Sequence, residues 1–127
     1  MREILFRGKM VDSNEWVYGD LLQSRHFNGD YKTSIMEQTP AASNFKVRPK
    51  TVGQFTGLKD ANGIKIFDGD IMRHEWHGEH YLGLVQWDSG GLWTLNHLNG
   101  DGEKLYEYEG DVIVGNIYDN PEFLEVE

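Results

Sequence analysis

The clearest strand pattern of the chain lies in residues 67–96, which read FDGDIMRHEWHGEHYLGLVQWDSGGLWTLN. The segment begins with a Gly-Asp turn and continues as a strand, a hairpin, a longer strand and another strand. By the two-residue period of a strand, one face of the longer strand would hold Tyr81, Gly83, Val85 and Trp87. Leu82 and Leu84 would lie on the other face, so both faces would be buried. A mid-strand glycine often marks the bend that closes a small barrel, and the segment therefore predicts an SH3-like barrel.

Short strands are also predicted along the rest of the chain. The composition of 15 Gly, 4 Trp, 6 Tyr and 6 Phe suits tight turns and β-strands better than long helices. The strand candidates are residues 3–9, 15–22, 33–37, 45–47, 52–56, 64–66, 70–77, 80–88, 92–97, 104–108 and 112–118. This close spacing predicts a mainly β fold, α+β at most, built from short antiparallel strands.

The domain organisation follows from length and from one loop. A chain of 127 residues fits one domain, or two small subdomains with a shared core. The loop at residues 39–44 contains Pro40, which breaks strand pairing. We therefore expect an N-terminal β subdomain at residues 1–44 and the SH3-like subdomain at residues 45–127. Asn120 before Pro121 predicts a capped helical turn near the C-terminus.

Glycine-containing dipeptides predict the turns. Asn62-Gly63 and Asn99-Gly100 supply the positive φ angles of two-residue hairpins. A Gly-Asp pair recurs at three places, and each pair is interpreted as a turn in which the aspartate binds nearby backbone amides. These pairs are Gly19-Asp20, Gly69-Asp70 and Gly110-Asp111. Their carboxylates are therefore poor candidates for catalysis.

Charge and composition limit the partners and the kinds of site that the chain is expected to have. The chain has 12 basic and 21 acidic residues, a net charge of -9, and the acids are spread along the sequence. This balance disfavours nucleic acid and anionic membranes as partners, with mimicry of nucleic acid as a minority alternative. The absence of cysteine excludes disulfides and cysteine-ligated zinc. No apolar run is long enough for a membrane span and no signal peptide is evident, so we expect a soluble, cytoplasmic protein.

Histidines and acids cluster at residues 74–80, HEWHGEH. A metal-dependent hydrolase using His74, His77 and His80 is one hypothesis. The spacing does not favour it, because His74 and His77 would lie on opposite faces of a strand. The motif is neither a helical His-Glu-x-x-His site nor a zinc finger, and nucleotide-binding loops are absent from the sequence. We predict no catalytic residue, cofactor or metal ligand.

The aromatic residues suggest a binding face. Trp16 and Trp87 are assigned to packing, and burial of Trp87 predicts that Trp87→Ala costs about 3–5 kcal/mol. Exposed aromatic residues on small barrels commonly contact partners. The predicted binding surface consists of Trp76, Tyr81 and Trp93, with His74 and His77.

Six short blocks of the sequence follow the pattern of a known protein family. They are ILFRGK at 4–9, WVYGDL at 16–21, VGQFTGLKD at 52–60, NG at 62–63, IFDGDI at 66–71 and VGNIYDNPE at 114–122. In this order they resemble the YopX-like proteins of bacteriophages and prophages. The resemblance implies a β-rich cytoplasmic protein of a bacterial host cell, with no established activity and no catalytic residues to transfer. The chain departs from the pattern at 25–44 and 75–105, where specificity would reside.

Three functional hypotheses remain at this point. The first is a non-enzymatic interaction module that binds a host or phage macromolecule, most readily a protein. The second is a self-associating structural protein, because small β units with edge strands often form homo-oligomers. The third is the metal-dependent hydrolase.

Overall fold

The fold is built from short antiparallel strands. A computed structural model describes residues 3–25, 31–76, 78–87, 91–97, 102–104 and 111–124. Within them the strands are β1 (Phe6–Lys9), β2 (Trp16–Arg25), β3 (Tyr31–Met36), β4 (Asn44–Lys46), β5 (Gly53–Lys59), β6 (Lys65–Phe67), β7 (Asp70–Trp76), β8 (Glu79–Trp87), β9 (Trp93–His97), β10 (Gly102–Lys104) and β11 (Val112–Asn116). Two 3-10 helices span Pro49–Thr51 and Pro121–Leu124. The mainly β prediction is confirmed.

The chain divides into two compact units, Met1–Phe55 and Thr56–Glu127. This division lies later than the boundary that the sequence predicts after residue 44. The reason is that β4 pairs antiparallel with β3, with Phe45 opposite Ile35. Val47 then enters the same buried cluster as Ile35. A loop that breaks pairing locally therefore need not end a unit, because the strand after it can return to the same sheet.

In the first unit the strands lie in the order β4-β3-β2-β1-β5. Its core consists of Val17, Ile35 and Val47, with Phe6, Met10, Leu21, Phe45 and Val52 packed against them. Gly19 lies inside β2, so the prediction that Gly19-Asp20 forms a turn is wrong. A Cβ on Gly19 would overlap the backbone carbonyl of Met36. Glycine is needed here for close approach of two segments, and not for a turn.

The division falls within β5, whose residues from Thr56 onward belong to the second unit together with the neighbouring strand β6. The other five strands of this unit lie in the order β10-β9-β8-β7-β11. The core consists of Ile66, Met72, Val85 and Leu95, with Leu58, Trp93 and Ile113 packed against them. Within the described ranges this strand order is open, with β10 at one end and β11 at the other. Closure into an SH3-like barrel stays a prediction.

Aspartates hold the turns of the second unit. Asp70 is buried, and its carboxylate accepts a hydrogen bond from the Phe67 amide at 2.8 Å, as the Gly-Asp pattern predicts. The Asn62-Gly63 turn is longer than predicted, because β5 ends at Lys59 and β6 begins at Lys65. The carboxylate of Asp60 spans this loop and accepts hydrogen bonds from the amides of Asn62 and Ile64, both at 2.9 Å. Asn99-Gly100 lies outside the described residues.

The C-terminal helical turn is confirmed as the 3-10 helix Pro121–Leu124. The predicted cap differs, because Oδ1 of Asn120 accepts a hydrogen bond from the Asn116 amide at 3.2 Å. Oδ1 of Asn116 in turn accepts from the amides of Tyr118 and Asp119. The two asparagines therefore fold the chain back after β11. Within the described part of the chain, no helix is long and apolar enough to cross a membrane.

Candidate functional site

His74 is part of a buried pair and is not a surface residue. Its Nδ1 lies 2.9 Å and 3.0 Å from the two carboxylate oxygens of Asp111, and the residues are 5% and 3% exposed. His74 lies on β7 and Asp111 immediately precedes β11, while the carbonyl of Asp111 accepts a hydrogen bond from the Ala61 amide. The pair therefore joins β7 to the entry of β11. The pair therefore has a structural role. The prediction that His74 belongs to a binding surface is wrong, because its side chain is buried.

The histidine cluster is divided between the two faces of a hairpin. The register of β7 and β8 places His80 opposite Glu75, and it places Tyr81 opposite His74. His80 and Glu75 are exposed, and Nδ1 of His80 lies 3.3 Å from Oε1 of Glu75. His74, on the other face, is buried. His77 lies outside the described residues. Among the residues that are described, no three His, Asp or Glu side chains are grouped as metal ligands.

Tyr81 lies on the same face as His74, at the start of β8. Its hydroxyl donates a hydrogen bond of 2.7 Å to the carboxylate of Glu79. This hydrogen bond raises the pKa of Tyr81 above its ordinary value, and so do partial burial and the negative charge of Glu79. The contact with Glu79 therefore disfavours ionisation of the hydroxyl.

Trp87 is exposed, which corrects its assignment to packing, and its ring contacts that of Trp93. Trp87 is 54% exposed, whereas Trp93 is half-buried and packs against the core of the second unit. They are register partners on β8 and β9, with ring centroids 4.9 Å apart and planes at 72°. Trp87 does share a face with the fully buried Val85, as the period predicts. It is the last residue of β8, however, and lies beyond the end of the core.

The predicted binding surface is therefore not one cluster. Tyr81 and Trp87 are six residues apart on β8, about 20 Å at 3.3 Å per residue. Trp93 lies beside Trp87, at the far end from Tyr81. The side chain of Trp76 lies outside the described part of the structure. What the structure brings together is the edge-to-face pair of the exposed Trp87 and the half-buried Trp93, which we call the Trp87 patch.

Next to the Trp87 patch the chain offers neutral polar groups and one more apolar side chain. Asn96 donates hydrogen bonds to Oε1 of Gln86 at 2.6 Å and to Oγ1 of Thr94 at 3.2 Å. Leu92, which directly precedes Trp93, is 44% exposed. Sequence reasoning missed Leu92 and the exposure of Trp87. The sequence does contain a signal for both, because Trp87 and Leu92 flank the glycine-rich stretch 88–91 and side chains at strand ends often lie outside the core.

Charge is divided unevenly between the two units. The first unit contains 8 basic and 6 acidic residues, whereas the second contains 4 basic and 15 acidic residues. Their formal net charges are therefore +2 and -11, which together give the -9 of the whole chain. Acidic residues are therefore more frequent in residues 56–127 than in residues 1–55, although no single tail gathers them.

Comparison with known proteins agrees with the resemblance carried by the sequence blocks. The family model of the YopX protein matches residues 5–125. The chain belongs to the YopX family. No protein with a curated description matches it significantly.

Two solved structures share the fold of this YopX-family chain. Protein EF1440 from Enterococcus faecalis is 21% identical, with a TM-score of 0.57 over 98% of this chain and 99% of that chain. Protein yopX from Bacillus subtilis is 17% identical, with a TM-score of 0.54 over 96% of this chain and 98% of that chain. At these identities the likeness shows the fold alone.

The family blocks coincide with residues that specify the fold. Block 66–71 contains Asp70, which holds the turn before β7, and block 114–122 contains Asn116 and Asn120, which hold the turn after β11. The Trp87 patch lies outside the six sequence blocks, although the family model matches across it. The blocks that carry the family resemblance therefore include residues that hold the turns of the fold.

Proposed function

We propose that this YopX-family chain is a non-enzymatic interaction module that binds a protein partner through the Trp87 patch. The observation that carries the proposal is the 54% exposure of a tryptophan whose ring is fixed by an edge-to-face contact with Trp93. Removal of a large apolar ring from water is favourable, so a partner that covers Trp87 would gain binding free energy. Such a ring is an efficient contact, because little conformational entropy is lost when a partner covers it.

The contribution of one such ring to binding is large. Tryptophan is enriched among the residues whose truncation weakens protein complexes by about 2 kcal/mol or more. Trp93 supports Trp87 from the core side, because it contacts the buried cluster around Val85 and Leu95. The patch therefore combines an exposed anchor with a rigid base. The resemblance to phage and prophage proteins supports a role in the cytoplasm of a bacterial host, with a host or phage protein as partner.

The alternatives have weaker support. Self-association through strand edges is disfavoured by the short edge strands β4 and β6, of three residues each. A register shift between Ile113 and Gly115 also interrupts the pairing of β11, and such irregularities impede addition of a further strand. The metal-dependent hydrolase loses support because His74 and His80 lie on opposite faces of the hairpin.

Site-specific photo-crosslinking in bacterial cells tests the proposal. A photoreactive amino acid in place of Leu92 lies next to Trp93 and should yield a discrete adduct with one protein. The matched control replaces Ile64, which is 54% exposed and belongs to the same unit, but lies in the loop between β5 and β6. We expect no corresponding adduct from position 64. Equal adducts from both positions, or none from position 92, would contradict the proposal.

A further inference from the structure

Three exposed cationic side chains lie close together at the end of β4 in the first unit. They are Lys46, Arg48 and Lys50, and we call them the Arg48 cluster. Within the described part of the chain, none of the three forms an ion pair with a carboxylate. Their charge is therefore not neutralised by a described neighbour, and a partner can reach it.

The backbone of the Arg48 cluster is held by pairing with the end of β1. The Val11 amide donates a hydrogen bond of 3.1 Å to the carbonyl of Lys46, and the Arg48 amide donates one of 2.9 Å to the carbonyl of Lys9. Val47, between Lys46 and Arg48, is 1% exposed and belongs to the core. Because side chains alternate along an extended segment, Lys46 and Arg48 both project from its outer side.

Thr51 fixes the C-terminal side of the cluster. Its buried hydroxyl accepts a hydrogen bond of 2.9 Å from the Lys9 amide and donates one of 2.7 Å to the carbonyl of Arg48. Pro49 restricts the backbone between Arg48 and Lys50. A partner would therefore meet cations on a backbone that is already ordered, and little further backbone entropy would be lost on binding.

The charge around the cluster is positive, although the whole chain is acidic. Lys9 lies opposite Arg48 in the pairing with β1, and its ammonium is 5.4 Å from the ring centroid of Trp16. Asp12 directly follows Val11, but it forms no ion pair with the cluster among the described residues. Salt screens charges farther away than the Debye length of about 8 Å, so the neighbouring cations dominate at contact.

We infer that the Arg48 cluster binds an extended acidic segment of a protein. This inference does not rest on the proposed function, because the cluster and the Trp87 patch belong to different units. In an extended segment, acids at alternate positions project to one side at a spacing of about 6–7 Å, which is also the spacing of residues 46 and 48. The guanidinium of Arg48 suits a carboxylate, since it can donate two parallel hydrogen bonds to it. Val11, opposite Lys46 and 39% exposed, adds an apolar contact.

A nucleic acid matches the cluster less well. It carries a negative charge on every nucleotide, so the net charge of -9 of the whole chain opposes its approach more strongly than that of a segment with a few carboxylates. A short acidic segment needs only the local cations. An acidic protein segment is therefore the occupant that both the local and the total charge allow.

Peptide binding to the purified full-length chain tests the inference. The probes are fluorescently labelled peptides of twelve residues, one with glutamate alternating with threonine and one with glutamine in place of glutamate. A single-stranded oligonucleotide of twelve nucleotides is the third probe. At low salt we expect the glutamate peptide to bind and the other two probes not to bind. Arg48→Gln should weaken binding of the glutamate peptide by roughly two- to fivefold, as expected for loss of an exposed ion pair, and Lys46→Gln in addition should weaken it further.

The control variant is Arg73→Gln, which removes the same charge from an exposed arginine of the second unit and should leave the affinity unchanged. Thermal unfolding checks that each variant is folded. Equal weakening by Arg48→Gln and Arg73→Gln would show that only total charge matters and would overturn the inference. Absence of glutamate-peptide binding, equal binding of the glutamine peptide, or tighter binding of the oligonucleotide would also overturn it. None of these outcomes bears on the Trp87 patch, which the variants leave intact.

Discussion

The imidazole of His74 and the carboxylate of Asp111 form a buried pair, with Nδ1 2.9 Å from Oδ1, although the residues are 37 positions apart in the chain. A histidine in a cluster of three suggests a metal ligand or a surface contact. Here its Nδ1 instead faces a carboxylate inside the fold, so the chemistry of this residue serves stability.

Removing one member of this pair should destabilise the second unit. Asp111→Ala would leave the buried His74 ring without this partner, and loss of a buried hydrogen-bond partner costs about 1–3 kcal/mol. Chemical denaturation measures the free energy of unfolding. The control Glu75→Ala removes the exposed Glu75–His80 contact and should change the free energy of unfolding by less than about 0.5 kcal/mol. Equal effects of the two variants would show that the buried pair is not a structural tie.

Gly83 is needed for the packing of Leu95. A Cβ on Gly83 would lie 2.6 Å from Cγ and Cδ1 of Leu95, a residue that is 1% exposed. Gly83→Ala should therefore cost about 1–3 kcal/mol, as overpacking does in other cores. Shortening the neighbour relieves the overlap, so Gly83→Ala with Leu95→Val should be less destabilising than the sum of the single changes. Strict additivity in thermal or chemical unfolding would contradict the contact.

Trp87→Ala should have a modest effect on stability. The ring is half exposed, so its removal should cost about 1–2 kcal/mol, including the edge-to-face contact with Trp93, whose typical value is about 0.5–1.5 kcal/mol. Leu95→Ala, in the core, should cost about 2–5 kcal/mol. A loss of 3–5 kcal/mol for Trp87→Ala would indicate a buried ring and would remove the basis of the proposed binding surface.

The pKa of Tyr81 should depend on Glu79. Ionisation of Tyr81 removes the hydrogen bond to Glu79 and places two negative charges together, so its pKa lies above 10.0. The hydrogen bond is thus present below the ordinary tyrosine pKa and is lost as the pH rises through the raised value. Because the chain has 6 tyrosines, the measurement is the difference in ultraviolet titration between the native chain and Tyr81→Phe. Glu79→Gln should lower the pKa, and an unchanged titration would contradict the interaction.

The positions of the strands follow from local patterns, which is why they are predictable. The alternation around Val85, and the aspartates next to glycine in residues 67–71, act within a few residues of the chain. Val85 is fully buried and Asp70 holds its turn, both as the patterns predict. The strand period also assigns Trp87 to the face of Val85, and this assignment is correct.

The features that the sequence did not predict are long-range or depend on where the core ends. The period of a strand gives the face of a residue but not the point along the strand at which packing stops, so the period alone does not predict the exposure of Trp87. No local signal joins His74 to Asp111, and none shows that β4 returns to pair with β3. The Trp87 patch and the division after Phe55 therefore required the structure.

The yield of the photo-crosslinked adduct from position 92, compared between the native chain, Trp87→Phe and Trp87→Ala, tests the central claim most directly. Phenylalanine keeps an aromatic ring at the patch and alanine removes it, while neither change reaches the core. The account predicts that the adduct persists in Trp87→Phe and is lost in Trp87→Ala, with both variants folded by thermal unfolding. An adduct of equal yield in folded Trp87→Ala would contradict it.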